Sequence, residues 1–298
     1  MAGTPDAGDS ASIEASRICI VGLGLIGGSL ALALRQRAPH VQLVGIDRAP
    51  VTARPSADLV HDYVAATDAP AVERALDSAS LIVLATPVSE IPLWLARALG
   101  HAAVVTDCGS TKREIAAAAD AHPDAARFVP GHPMAGAGRV RAAPNAALFV
   151  GRPWLLCSDR AEPEALDRVE RMVRAVGANP LRMSAFEHDR AVAWTSHAPR
   201  IVSSVFTVLA ANEQALVARG PAFERLMRGA GGPVPMWADV LSSNRDEVAR
   251  ALRRLISELE ACATELEGEG ELVRSLAALA AADEARDSVV DAPLSAPR

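Results

Sequence analysis

The sequence predicts an α/β N-terminal domain built on a parallel sheet, followed by an all-α C-terminal domain. Three observations carry that prediction. In the first half, short and nearly continuous apolar runs alternate with helix-spaced segments, the pattern of a parallel sheet covered by helices on both faces. A glycine cluster sits where the first apolar run meets the first helical segment. After about Ser184 the strand-like runs stop and long helical periodicity takes over.

The elements follow in order. Arg17–Leu23 (RICIVGL) reads as the first strand, and Ser29–Arg37 as a helix with Leu30, Ala33 and Leu34 on one side. Gln42–Asp47 (QLVGID) is a second strand with an acid at its end. Ala71–Ala79 is helical, and Leu81–Ala85 (LIVLA) is a buried strand closing at Thr86-Pro87. Ile91–Leu99 is again helical, and Ala103–Thr106 is a strand closing at Asp107-Cys108-Gly109-Ser110. Phe128–Pro130 and Trp154–Cys157 are further strand candidates, before a helix from Pro163 to about Val176 and a strand near Leu181. In the second part, Val248, Leu252, Leu255, Leu259 and Leu266 place a long amphipathic helix over Asp246–Leu266. Gly229–Pro235 (GAGGPVP) reads as a loop dividing the helical part. The expected organisation is a disordered tail over 1–16, a nucleotide domain over 17–184, a helical domain over 185–286 and a second tail over 287–298.

A chain of 298 residues, 50% hydrophobic and 22% charged, has room for two buried cores. Its net charge of −6 argues against a nucleic-acid partner, and 3% aromatic residues leave little for base stacking. Ile18–Leu34 is uncharged but too short to span a bilayer, so no membrane partner is expected. Cys19, Cys108, Cys157 and Cys262 are scattered without CxxC pairing. They read as reduced thiols of a cytoplasmic protein with neither disulfides nor a metal site, and the N-terminus lacks the features of a signal peptide. Lys112 is the only lysine among many arginines. The arginine excess reads as codon bias, and the one lysine hints at a need for a compact point charge.

Gly22-Leu23-Gly24-Leu25-Ile26-Gly27 fits GxGxxG between a strand and a helix, and Asp47 lies about 20 residues further on, the arrangement of a Rossmann-like dinucleotide site. Gly22 permits the tight turn, Gly24 lets the backbone approach a pyrophosphate, and Gly27 permits close helix–strand packing. Leu25 and Ile26 open the helix whose N-terminus favours the phosphate charge, and Thr86 and Pro87 close the strand alongside. Asp47 suits the adenine ribose hydroxyls and repels a 2′-phosphate, so NAD is expected over NADP; Arg48 weakens that preference. Catalytic groups belong at the carboxyl ends of the strands, where two loops carry suitable residues, Asp107–Lys112 (DCGSTK) and Gly131–Gly136 (GHPMAG). His132, fixed by Pro133, stands out. His40, His61, His101, His122 and His188 read as surface or structural, Arg139 and Arg141 as solvated loop charges, and Trp237 as packing.

GLGLIGGSLA, DCGSTK, GHPMAG, Ser196-His197-Ala198-Pro199 and the stretch from Arg228 through Met236-Trp237 and Asp239 to Asn244 closely resemble the prephenate/arogenate dehydrogenases. They run in that family's order from residue 17 to about 265. The resemblance implies a Rossmann-like domain followed by an all-α C-terminal dimerisation domain, hence a homodimer. It also implies a small-molecule substrate, a cyclohexadienol with a ring carboxylate and a C4 hydroxyl. His132 is then the base for that hydroxyl, Ser110 positions His132 or the hydroxyl and contacts substrate, and His197 and Arg228 bind substrate. Lys112 tethers its loop or adds positive potential.

The chain departs from the family pattern at three places. Gly138-Arg139 and Arg225 stand where many members carry acids, and Arg200 where a second histidine is common. The more positive site favours prephenate over arogenate, whose ammonium would meet less compensating charge. The implied activity is NAD-dependent oxidative decarboxylation of prephenate to 4-hydroxyphenylpyruvate. Its alternatives are arogenate or an amino-substituted prephenate as substrate, and an inactive dinucleotide-binding sensor. A β-hydroxyacid dehydrogenase would need a lysine in the helical domain, which this chain lacks.

Overall fold

The computed structural model describes residues 15–48, 59–136, 142–157, 159–268 and 270–291. The chain divides into two compact units. One runs to Asp189 and takes in Gly232–Ser243; the other comprises Arg190–Gly231 and the chain from Asn244 onward.

The first unit is built on six parallel strands, β1 (Arg17–Val21), β2 (Gln42–Asp47), β3 (Asp62–Ala65), β4 (Leu81–Leu84), β5 (Val104–Asp107) and β6 (Phe128–Val129), in the order β3-β2-β1-β4-β5-β6. Helices α1 (Leu25–Arg37), α2 (Ala69–Asp77), α3 (Ile91–Ala98), α4 (Arg113–Asp120) and α5 (Pro163–Ala175) connect and cover them. Successive residues of a strand point to opposite faces, and β1 divides its side chains accordingly. Ile18 and Ile20 join one core with Leu30 and Leu34 of α1 and Val169 and Met172 of α5. Cys19 and Val21 join the other with Val72 of α2, Leu95 of α3 and Ile115 of α4. Burial on both faces is the reason these strands read as unbroken apolar runs.

Of the later strand candidates, Phe128–Pro130 joins this sheet as β6, whereas Trp154–Cys157 and the strand near Leu181 do not; Gly131–Pro133, expected within a loop, is a strand that pairs with Trp154–Cys157. β7 (Gly131–Pro133), β8 (Pro153–Cys157) and β9 (Asn179–Met183) form a separate three-stranded sheet, with β7 antiparallel to β8 and β8 parallel to β9. Pro130 supplies no N–H to a ladder, so β6 ends after two residues at the edge of the main sheet. The Pro130 carbonyl instead accepts from Cys157 N at 2.8 Å.

α6 (Ala185–Val192) runs from the first unit into the second. There it continues as a π-helical turn, Ala193–His197, into α7 (Ala198–Asn212), followed by α8 (Pro221–Met227). Pro199 has no N–H for the Thr195 carbonyl, which accounts for the widened turn just before it. α9 (Val234–Ser243) belongs to the first unit, whereas α10 (Arg245–Glu267) and α11 (Val273–Asp291) belong to the second. The described part of the second unit contains no strand.

The compact units meet at 189/190, beside the expected boundary at 184/185, and Gly232–Ser243 groups with the first unit. Residues 1–14 and 292–298 of the expected tails lie outside the described residues, as do Gly138, Arg139 and Arg141. Ala15, assigned to the first tail, is buried, and residues 287–291, assigned to the second, continue α11.

Candidate functional site

The order of the main sheet reverses between β1 and β4, and a parallel sheet opens a crevice at such a point. Here that crevice is a cleft of about 480 Å³ lined by Gly22, Gly24, Asp47, Arg48, Thr86 and Pro87 among others. Gly22 has φ +93°, and a Cβ on it would lie 2.6 Å from the Ala85 carbonyl oxygen. A Cβ on Gly27 would lie 1.9 Å from the Gly22 carbonyl oxygen, so α1 packs on the turn with no room to spare. A Cβ on Gly24 would meet nothing within 4 Å. The open space lies where the chain turns into α1, at the N-terminus of the helix. There the N–H groups of Leu25, Ile26 and Gly27 have no acceptor within the helix. Leu25 and Ile26 do not line the cleft with their side chains; Ile26 packs against the first core.

Asp47 closes the opposite wall. Its Oδ2 accepts from Leu23 N at 2.8 Å and its Oδ1 from Arg48 N at 2.6 Å, so the carboxylate braces the glycine turn. Arg48 forms an ion pair with Glu90 across the mouth of the cleft. Thr86 Oγ1 is buried there with no hydrogen-bond partner among the described residues. An open glycine turn, a helix N-terminus, an acid at the end of β2 and an orphaned hydroxyl together fit a dinucleotide.

The loop after β5 and the strand β7 are joined by one carboxylate. Asp107 Oδ2 accepts from Gly109 N at 2.7 Å and pairs with the Lys112 ammonium, while its Oδ1 accepts from Gly131 N at 3.0 Å. Asp107 and Lys112 are both fully buried. Ser110 therefore lies on a loop pinned on both sides, and His132 follows directly on a residue pinned to the same acid. Of the two roles expected for Lys112, the structure supports the tether.

His132 is half-buried on β7, and its Nδ1 lies 2.9 Å from His188 Nε2. His188 Nδ1 in turn lies 2.8 Å from Asp189 Oδ1. His188 is fully buried, so the surface-or-structural reading of it misses a chain leading straight to His132. Burial holds the His188 pKa below its ordinary value, against the opposing pull of Asp189. For Asp189, burial pushes the pKa up. Hydrogen bonds from His188 and from the Arg113 and Lys112 amides outweigh that and hold it below the usual carboxylate range. α9 is fixed to the same loops, since Ser89 Oγ donates to Asp239 Oδ2 at 2.7 Å and Thr111 Oγ1 lies 2.8 Å from Ser243 Oγ. Burial pushes the neighbouring Cys157 thiol up to about 12. Among the described residues no cluster of His, Cys, Asp and Glu is arranged to hold a metal.

In the second unit, His197 closes the π-helical turn, and its Nδ1 lies 3.3 Å from Asn244 Nδ2, both residues buried. Arg200 Nη1 donates to the carbonyls of Ala230 at 3.2 Å and Gly231 at 2.8 Å, holding the loop that follows Arg228. Arg228 caps the carboxyl end of α8 with its side chain exposed. Arg225, one turn earlier, is exposed as well.

Comparison with known proteins places this geometry. A family model described as the prephenate dehydrogenase nucleotide-binding domain matches residues 30–181. A second, the prephenate dehydrogenase dimerization domain, matches residues 184–278. The chain belongs to the prephenate dehydrogenase family. It is 31% identical to the prephenate dehydrogenase of Bacillus subtilis, over 85% of this chain and 70% of that protein. A Corynebacterium glutamicum protein provisionally assigned as a prephenate dehydrogenase has a crystal structure that superposes with TM-score 0.82. The match has 26% identity and covers 95% of this chain and 90% of that one. The structure of Synechocystis arogenate dehydrogenase superposes with TM-score 0.74 and 26% identity, over 92% and 99% of the two chains. No described helix is long and apolar enough to cross a membrane.

Proposed function

We propose that this member of the prephenate dehydrogenase family catalyses the NAD-dependent oxidative decarboxylation of prephenate to 4-hydroxyphenylpyruvate, in the cytoplasm and as a homodimer. The observation that carries the proposal is the pinning of the Ser110 loop and the His132 strand to one buried carboxylate, Asp107, within a unit whose sheet also opens a dinucleotide cleft. In this reading Gly22, Gly24 and Gly27 shape the turn that admits the pyrophosphate, and the amides opening α1 bind it. Asp47 receives the ribose hydroxyls, and Thr86 offers its hydroxyl. NAD, held by the glycine turn, Asp47 and Thr86, would supply the hydride acceptor for the substrate C4.

His132 accepts the proton of the C4 hydroxyl, a base role suited to imidazole near neutral pH. Ser110 orients that hydroxyl or the imidazole. His197 and Arg228 of the helical unit bind the substrate carboxylates, for which the guanidinium fork is well shaped. Loss of the ring carboxylate as CO2 makes the ring aromatic and drives the reaction forward.

Two features support prephenate over arogenate and NAD over NADP. Arg225 adds a positive charge one turn before Arg228, which an ammonium-bearing substrate would meet unfavourably. Arg48 is engaged by Glu90 beside Asp47, so the wall facing the ribose keeps a net negative charge. The homodimer reading is supported by an uncovered apolar face. Val205, Phe206 and Leu209 of α7 and Ile256, Leu259 and Leu266 of α10 are each more than half exposed, the kind of surface a second copy covers.

Replacing His132 by Asn tests the base. The expected result is a fall in kcat of roughly 10²–10⁴ with NAD affinity unchanged. Wild-type kcat in this variant would remove His132 from the mechanism.

A further inference from the structure

We infer that His188 and Asp189 are positioning residues for His132, a buried chain that fixes which nitrogen of His132 receives the substrate proton and balances the charge that results. The inference rests on the reading of His132 as the base. It extends inward, to residues that touch neither substrate nor cofactor in that reading.

Donors from two segments hold the Asp189 carboxylate. Its Oδ1 accepts from Lys112 N at 2.7 Å and lies 2.8 Å from His188 Nδ1, and its Oδ2 accepts from Arg113 N at 3.0 Å and Arg113 Nε at 3.3 Å. An ionised carboxylate only accepts, so His188 carries its proton on Nδ1. Burial favours the neutral imidazole for His188, and a neutral ring protonated on Nδ1 can only accept at Nε2. The atom opposite, His132 Nδ1 at 2.9 Å, is therefore the donor. A neutral imidazole has one N–H, which places the lone pair of His132 on Nε2, the nitrogen that takes the C4 hydroxyl proton.

The two rings are tilted by 59° with centroids 5.1 Å apart, so they meet nitrogen to nitrogen rather than by stacking. When His132 becomes an imidazolium, its Nδ1–H bond to His188 becomes charge-assisted and strengthens. Asp189 lies behind His188 as the balancing charge. The other groups facing His188 are accounted for. The Lys112 ammonium opposes a positive charge there, its partner Asp107 favours one, and the Arg113 guanidinium is already engaged by Asp189. The nearby Cys157 thiol stays neutral. The chain thus has the logic of a catalytic triad in which the middle histidine is doubled.

The test compares His188→Leu, His188→Gln and Asp189→Asn with the parent enzyme, using prephenate and NAD. The readouts are kcat, the pH profile of kcat/KM, and NAD binding as the check on folding. His188→Leu removes the acceptor and is expected to lower kcat by about 10- to 1000-fold, part of the full general-base factor. The acid limb of the profile should move to lower pH, because the His132 imidazolium loses its support. His188→Gln places an amide oxygen near the Nε2 position and should recover at least tenfold of that loss. Asp189→Asn can donate to His188 and reverse both tautomers, lowering kcat by roughly 10²–10⁴ with NAD binding retained. A merely structural role would weaken folding and NAD binding together and leave the acid limb in place.

If His188→Leu fails to bind NAD, Asp189→Asn and His188→Gln decide the matter. An unmoved acid limb with kcat within threefold of the parent in Asp189→Asn overturns the inference. The outcome separates from the base assignment itself. An inactive His132→Asn beside a parent-like Asp189→Asn removes only the inner chain, whereas an active His132→Asn removes the base.

Discussion

Gly24 and Gly27 belong to one motif, yet the structure assigns them opposite sensitivities. At Gly27 an added Cβ would lie 1.9 Å from a backbone oxygen, that of Gly22, which cannot rotate away. Gly27→Ala therefore forces α1 off the turn, an overpacking that costs about 1–3 kcal/mol and lowers Tm by roughly 2–12 °C for a unit of this size. At Gly24 the added methyl meets nothing within 4 Å, and the backbone sits at φ −69°. Gly24→Ala should melt within about 0.5 kcal/mol of the parent, as a surface change does. The same methyl occupies the space assigned to the pyrophosphate. An overlap of about 1–3 kcal/mol there weakens NAD binding by roughly 5- to 150-fold. Two assays separate the effects, a thermal melt without cofactor and an NAD titration followed by tryptophan fluorescence, for which Trp94 in the cleft wall is placed to report. Parent-like NAD affinity in Gly24→Ala would refute the placement of the pyrophosphate. Parent-like melting in Gly27→Ala would refute the packing argument.

Other outcomes follow from the same geometry. Glu90→Gln releases Arg48 from its surface ion pair, which is worth up to about 1 kcal/mol. It should raise kcat/KM with NADP by up to about fivefold while leaving NAD little changed; an unaltered NADP/NAD ratio would contradict the role given to that pair. Acid should destabilise the first unit. His188 and Asp189 both have folded pKa values held below their ordinary ones, so the unfolded chain binds more protons and stability falls as pH falls. For His188 the loss begins below about pH 6.5 and approaches about 1.4 kcal/mol per pH unit. Denaturant titrations across pH 7 to 5 should be flatter for His188→Gln, and an equal slope would contradict the neutral, buried histidine.

Much of the fold is legible from local pattern, since strands buried on both faces announce themselves as continuous apolar runs and the glycine spacing marks the first turn. β3 and α4 escape that reading for local reasons. β3 is a half-buried edge of four residues, and α4 is half alanine with Ile115 as its single large apolar residue. β8 and β9 read correctly as strands but not as a second sheet, and β7 reads as a loop, because pairing partners are nonlocal. The same limit applies to the site. His132 lies between a glycine and a proline in a stretch that reads as a loop and invites attention, whereas His188 lies among Glu187, Asp189 and Arg190 and reads as surface or structural. Its partner Asp189 is held by the amides of Lys112 and Arg113, more than seventy residues away. The adjacent His-Asp pair opening a helix is the signal available in the sequence. The attachment of α9 to the first unit likewise rests on Ser89 and Asp239, 150 residues apart.

The central claim is the reaction itself, and the most direct measurement is NADH formation from NAD with prephenate and arogenate assayed side by side on the full chain. The account predicts turnover of prephenate with kcat/KM at least tenfold above that for arogenate. A tenfold preference for arogenate would contradict the assignment of substrate, and absence of NADH with both would contradict the proposed reaction.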